Sequence, residues 1–266
     1  MPAGLPLSLY ALIRERGIFG CASLHHLPTI RQRLRLLEAA YGAGFRQFDV
    51  APAYGNGVAE RAVGTFAAEV GRDIKVHTKV GIPIRIYPAW TDGIFPVARA
   101  VDAAIGNHRR VYRKRRFSPD TLKQSLADST VRLGGLVPDG YYLHEPLKAF
   151  SAAEWAEFAG EMDALRNNHG FGFWGIAGPQ LATPLTPAGV QIPAIQCPVA
   201  DWLAAAPADR ARFQRVSLYN LVRYYRAAQR EMRFEAWLFA LASEFPQAHF
   251  VLTTLRQDRL VSWGEA

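Results

Sequence analysis

Eight times along this chain a short apolar segment is bounded by Gly, Pro or polar residues and followed by a connection far longer than a hairpin turn. The segments are GIFGCAS (17–23), FRQFDVA (45–51), IKVHTKV (74–80), GYYLHEP (140–146), GFWGIAG (172–178), PAIQCPV (193–199), RVSLYNL (215–221) and HFVLTTL (249–255). Antiparallel neighbours can be joined by two residues, whereas parallel neighbours need a crossover, usually a helix. Eight such units with no break in composition across 266 residues predict an α/β protein, a single (β/α)8 TIM barrel over residues 1–266. The alternative, a doubly wound open sheet, lacks its G-x-G-x-x-G turn after the first strand.

The crossovers carry their own signals. IRQRLRLLEAAYGAG (30–44) sets Ile30, Leu34, Leu37 and Ala40 at helical spacing and closes on glycines. VAERAVGTFAAEV (58–70) follows the second strand. SPDTLKQSLADSTVRLG (118–134) opens with Ser118 as N-cap and Pro119 in the first turn. SAAEWAEFAGEMDALRNNHG (151–170) opens with the capping-box pair Ser151 and Glu154 and ends at a glycine. EMRFEAWLFALASEF (231–245) precedes the last strand.

Composition excludes several classes. Half of the residues are hydrophobic and 12% are aromatic, which supplies a large core and argues against disorder. No apolar run approaches the roughly 20 residues that span a bilayer, and the N-terminus lacks the charged start of a signal peptide. Two cysteines, Cys21 and Cys197, make neither a disulfide framework nor a cysteine zinc site, so a reduced, cytoplasmic setting is expected. The net charge of +8 is partly local: RRVYRKRRF (109–117) holds six basic residues in nine positions. A solvated loop, an anion-attracting rim and a nucleic-acid contact are the readings of such a run. No nucleic-acid fold motif surrounds it, so nucleic acid is not the expected partner.

In a barrel of this type the chemistry sits at the C-terminal ends of the strands. Asp49 ends the second segment, Tyr54 lies in the loop after it, Lys79 ends the third, and His144 ends the fourth. Each residue alone has a plain structural explanation: a helix cap, an exposed charge, a core histidine. Together they form a coherent set. An ammonium beside a phenol favours the phenolate and should make the phenol more acidic. A carboxylate keeps the ammonium charged, and an imidazole can orient a substrate oxygen. The product would be a proton donor aimed at a carbonyl. Proteins have no side-chain hydride donor, so a nicotinamide cofactor is implied.

GFRQFDVAPAYGNGVAERAVG (44–64) resembles the signature of the aldo-keto reductases, TKVG (78–81) is similar to the segment with their catalytic lysine, and LKQSLADSTVRLGGLVPDGYYLHEP (122–146) to the run leading to their catalytic histidine. The wording around TKVG and LHEP resembles the branch with sugar and aldose dehydrogenases. The resemblance implies NAD(P)-dependent interconversion of carbonyl and alcohol, with Asp49, Tyr54, Lys79 and His144 as the tetrad and Tyr54 as acid in reduction, base in oxidation. It implies cofactor contacts at Gln196, Ser217, Tyr219, Thr254, Arg256 and Arg259. The two arginines, if they hold a 2′-phosphate, favour NADP over NAD. Gln196 could equally be a buried structural glutamine. WGIAGP departs from the family's Ser-Asn, with Ala177 and Gly178 there instead.

Residues 82–117 make a long loop after the third strand, and loops of that length inside a compact domain are usually functional or mobile. Arg85, Tyr87 and Trp90 in it are expected to line a site for a small carbonyl or sugar substrate, with the basic end favouring anionic or polyhydroxylated ones. Two other readings remain open at this point. One is a nicotinamide-binding regulatory or sensor protein on the same fold with little turnover. The other is a metal-dependent hydrolase using His25, His26, His77 or His144, which is weakened because adjacent histidines point apart.

Overall fold

A computed structural model describes residues 8–71, 73–84, 115–146, 151–179, 192–228 and 231–264. Eight parallel strands close into a barrel in sequence order. They are β1 (Gly17–Gly20), β2 (Gln47–Asp49), β3 (Lys75–Val80), β4 (Gly140–His144), β5 (Phe173–Ala177), β6 (Ala194–Pro198), β7 (Arg215–Tyr219) and β8 (Ala248–Leu252). All eight strands read from the sequence form, and β8 pairs with β1 to complete the ring. Each strand is shorter than its apolar segment, and two of them end in sharp turns. Glu145 after β4 has φ 48° and Gly178 after β5 has φ 146°.

The helices are α1 (Leu9–Arg16), α2 (Ile30–Gly42), α3 (Val58–Glu69), α4 (Pro119–Arg132), α5 (Ala152–His169), α6 (Val199–Ala204), α7 (Pro207–Arg210), α8 (Leu221–Ala227), α9 (Phe234–Glu244) and α10 (Gln257–Gly264). The caps read from the sequence are in use. Ser118 accepts from Thr121 N with Pro119 in the first turn. Ser151 and Glu154 make a reciprocal capping box, and Gly170 ends α5 in the left-handed conformation. Thr29 and Gln32 make a second box at α2, which the sequence reading missed.

Helix α1 was also not anticipated. Leu9, Leu12 and Ile13 bury one face of it, and Arg16 donates to the carbonyls of Ala242, Phe245 and Pro246. These bonds fix α1 to the turn between α9 and β8. No helix among the described residues is long and apolar enough to cross a membrane.

Side chains alternate along each strand, so every second residue faces the barrel interior. The register sets which interior groups meet. The Cα of Asp49 pairs with that of His77, so Lys79, two residues on, stands diagonally above Asp49. His144 pairs with Ala177, and Ala177 with Gln196. The ends of β2, β3, β4 and β6 therefore deliver their polar side chains to one level.

Candidate active site

At the C-terminal mouth lies a cavity of about 320 Å³ lined by Asp49, Tyr54, Lys79, His144, Gln196 and Tyr219, among others. The buried ammonium of Lys79 organises it. Its Nζ donates to Asp49 Oδ1 at 2.6 Å, to the Val50 carbonyl at 3.0 Å and to Tyr54 Oη at 3.0 Å. An ammonium has three protons, and all three are engaged. Gln196 Nε2 adds a second donor to Asp49 Oδ1 at 2.8 Å. With Lys79 donating to the phenol oxygen, the phenol keeps its own proton to give; Asp49 Oδ2, at 3.5 Å, is only a distant acceptor for it.

Local backbone geometry explains the Tyr-Gly pair. Gly55 has φ 69°, and a Cβ there would come within 2.4 Å of the His25 Cβ. The loop can carry Tyr54 back over the strand ends only if the next residue has no side chain. The chain then starts α3, whose Glu60 is fully buried and accepts from Thr78 Oγ1 at 2.7 Å and Arg132 Nε at 2.5 Å. Thr78 is the neighbour of Lys79, so this network locks β3 against α3 and α4.

The electrostatics correct one expectation. Tyr54 is not made more acidic: burial and the nearby Asp49 carboxylate hold it well above the ordinary phenol value. A phenolate there would lose its hydration and face a carboxylate, while the Lys79 ammonium lies 3.0 Å away. Burial also lowers Lys79, with Asp49 opposing the shift. His144 is held well below its ordinary value by burial, then by Lys79 and Arg115, so the imidazole is neutral. Its ring meets that of Tyr54 edge to face, centroids 6.0 Å apart.

The residues expected to hold a cofactor divide. Gln196 and Tyr219 line the cavity. Ser217 is fully buried one level lower, its hydroxyl 3.5 Å from that of Tyr142. Thr254 is buried and accepts from Arg256 N at 3.1 Å, while its neighbour Thr253 faces the cavity. Arg256 is exposed and paired with Asp258, and Arg259 lies half-buried in the first turn of α10. Arg85, Tyr87 and Trp90 lie outside the described residues, as does most of the basic run. Its described end is held: Arg115 pairs with Glu145 at 2.7 Å and Arg116 N donates to the Gly81 carbonyl.

Sequence reasoning missed Glu145, Asn220 and Thr253 on the cavity wall. The acid beside His144 in LHEP was the available signal for Glu145. Asn220, with φ 61°, is a residue type that tolerates the left-handed region. The histidines named for a metal site do not converge. Against the expectation that they point apart, the rings of His25 and His26 lie 4.1 Å apart in the turn after β1; His77 lies below the cavity near Asp139, and His144 stands at the mouth. Among the described residues no group of three or more His, Cys, Asp or Glu could hold a metal ion.

Known proteins resemble this chain in part of its sequence and in its fold. A D-threo-aldose 1-dehydrogenase from Pseudomonas sp. is 35% identical over 112 residues, which is 42% of this chain and 33% of that enzyme; the match thus spans about a third of the relative's length. Among solved structures, an aldo-keto reductase from Klebsiella pneumoniae in complex with NADPH superposes with a TM-score of 0.63 at 16% identity, covering 93% of this chain and 84% of that one. A glycerol dehydrogenase from Gluconobacter oxydans gives 0.62 at 16% identity, covering 92% and 84%. At such identity these two likenesses show the fold alone. The model of the aldo/keto reductase family matches residues 18–171, more than half of the chain and the stretch that carries Asp49, Tyr54, Lys79 and His144, and the chain belongs to that family.

Proposed function

We propose that the protein is an NADP-dependent oxidoreductase that interconverts a carbonyl and an alcohol on a small, hydroxylated substrate. The observation that carries this reading is the 3.0 Å contact of Lys79 Nζ with Tyr54 Oη, backed by Asp49 at 2.6 Å, inside a cavity. The nicotinamide end of the cofactor fits the residues present. Ala177 and Gly178 leave room for a flat ring on one wall, and Tyr219 offers an aromatic face. With Gln196 Nε2 on Asp49, the amide oxygen of Gln196 is the atom left to accept from a carboxamide. Arg259 is the better candidate for a 2′-phosphate, since Arg256 is already paired with Asp258. When bound, the nicotinamide supplies or accepts a hydride at carbon.

The chain's own residues handle the proton. Tyr54, held as a protonated phenol, gives its proton to the carbonyl oxygen in reduction. As negative charge grows on the phenol oxygen, the Lys79 proton already hydrogen-bonded to it offsets that charge. Asp49 keeps Lys79 charged despite burial. Neutral His144 donates one ring N–H to the substrate oxygen. In oxidation Tyr54 receives the proton along the same path. The named activity of the Pseudomonas relative on an aldose supports a sugar-like substrate.

The test is NADPH consumption over a panel of aldehydes, ketones and sugars, with Tyr54→Phe alongside. Loss of the general acid should lower kcat by about a thousandfold while NADPH still quenches the protein's fluorescence. A Tyr54→Phe enzyme turning over within tenfold of the wild type would sink the assignment. NADPH binding with no turnover on any substrate would instead support a sensor.

A further inference from the structure

The cavity wall carries one charge that the proton chemistry does not use. Glu145 follows His144 directly, and its backbone is left-handed at φ 48°, an uncommon conformation for a residue with a side chain. The turn is pinned, because Glu145 N donates to the Ala177 carbonyl at 2.7 Å. The carboxylate is pinned too, by Arg115 Nη2 at 2.7 Å on Oε2, with the arginine side chain 12% exposed and that of Glu145 40% exposed. Glu145 lines the cavity with His144, Tyr54 and Tyr219. Its charge is felt there: burial is the main reason that Tyr54 and Tyr219 are raised, and Glu145 adds to both.

We propose that Glu145, fixed by Arg115, determines specificity by accepting a hydrogen bond from a hydroxyl of a neutral, hydroxylated carbonyl substrate and repelling carboxylate-bearing ones. This rests on the carbonyl-reduction reading above and names its substrate class. A carboxylate only accepts hydrogen bonds. With Oε2 on Arg115, Oε1 is the atom that can meet a substrate O–H. The Arg115 pair holds the acceptor in place before the substrate arrives, so binding does not have to order it. A site built to bond a hydroxyl discriminates against an analogue that lacks it far more strongly than an apolar wall can.

The same pair revises the role of the basic run. At its described end the charge nearest the cavity is offset by Glu145, so the wall presented there is not an anion-attracting one. The competing account is a strut that merely ties residue 115 to the end of β4. A strut would leave the ratio between substrate classes unmoved when Glu145 is changed.

The full chain is assayed with NADPH against erythrose, butanal and succinic semialdehyde, which share chain length and differ in hydroxyls and charge. The wild type should favour erythrose in kcat/KM. Glu145→Ala should reduce the erythrose-to-butanal ratio by about ten- to a hundredfold. Glu145→Gln should raise kcat/KM for succinic semialdehyde by about tenfold, since the Arg115 charge is no longer offset. Arg115→Met should shift that substrate in the opposite direction. NADPH fluorescence titration shows which variants keep the cofactor site, and the glutamine variant carries the test if the alanine variant does not fold. Ratios within twofold of wild type in variants that still turn over would overturn the proposal alone. A wild type that binds NADPH but reduces none of the three would overturn the carbonyl-reduction reading, and this proposal with it.

Discussion

The two ends of the barrel interior are both polar, yet they are finished differently. At the C-terminal mouth, Asp49, Lys79, Tyr54 and Gln196 form a network whose donors and acceptors meet at 2.6–3.0 Å. At the other end, Arg215 Nη2 meets Gln47 Oε1 at 2.7 Å and its guanidinium lies 4.5 Å over the Phe173 ring. There the matching stops. Among the described residues, both ring nitrogens of His77, Nδ1 of His249 and Nε of Arg215 are buried and meet no hydrogen-bond partner, and His77 Nε2 stands 3.8 Å from Asp139 Oδ2. Tightly coupled charges fill one end, and loosely matched imidazoles beside one guanidinium the other. Satisfied networks resist removal of any one member, whereas unmatched polar groups are costly to keep.

The largest break of this contrast is at the mouth. Lys79→Met removes the ammonium and leaves the Asp49 carboxylate buried without its charge partner. The expected loss is about 3–5 kcal/mol of unfolding free energy, read from urea denaturation, with NADPH-coupled turnover lost as well. Adding Asp49→Asn should recover part of the stability and none of the activity. A Lys79→Met protein as stable as wild type would show that the mouth network is no tighter than the opposite end.

How far the sequence carried this picture follows from the same contrast. The eight strands were legible because a parallel strand covered on both faces needs an apolar run, and FRQFDVA or IKVHTKV can be little else. Asp49, Tyr54, Lys79 and His144 were legible because polar groups at strand ends interrupt such runs. What failed was environment. A lysine next to a tyrosine implied an acidified phenol, but the sequence does not show burial, and burial reverses the sign at Tyr54. After β8 the cavity is lined by Thr253, which no residue pattern singled out beside Thr254. Helix α1 was not legible although Leu9, Leu12 and Ile13 have helical spacing, because eight residues are too short a window for an apolar period to stand out. Glu145 reads as a loop acid until its left-handed turn and Arg115 partner are seen.

A smaller effect sharpens the comparison through pH. Burial lowers His77, with Asp139 opposing and Arg215 adding to the shift. Burial, then Arg215 and His77, lowers His249 to about 3. Both are neutral when folded and titrate near 6.5 when exposed. Below that value the unfolded chain binds more protons than the folded one, so stability falls as pH falls, and it continues to fall towards the folded values. His249 alone should remove about 1.2 kcal/mol between about pH 7 and pH 5.5, and the lowered His77 should add to that loss, followed by denaturation midpoints at fixed salt. The mouth histidine, His144, is shifted the same way, so His144→Gln serves to separate its share. Stability flat across this range would mean that the two lower imidazoles already have partners that hold their protons.

The smallest change isolates one imidazole. His77→Leu replaces a fully buried ring, whose nitrogens meet no hydrogen-bond partner among the described residues, with an apolar side chain of similar bulk. Removing a polar group that makes no bond avoids its desolvation cost, so the variant should unfold within about 1 kcal/mol of wild type. It should also flatten the acid-side slope by up to about 1.4 kcal/mol per pH unit. Turnover should be unaltered, because His77 lies one interior level below Lys79 and touches the Tyr142 and Phe173 rings rather than the cavity. A loss above about 3 kcal/mol would reverse the contrast: the lower cluster would then be completed by a bound water or ion, and as fully matched as the mouth.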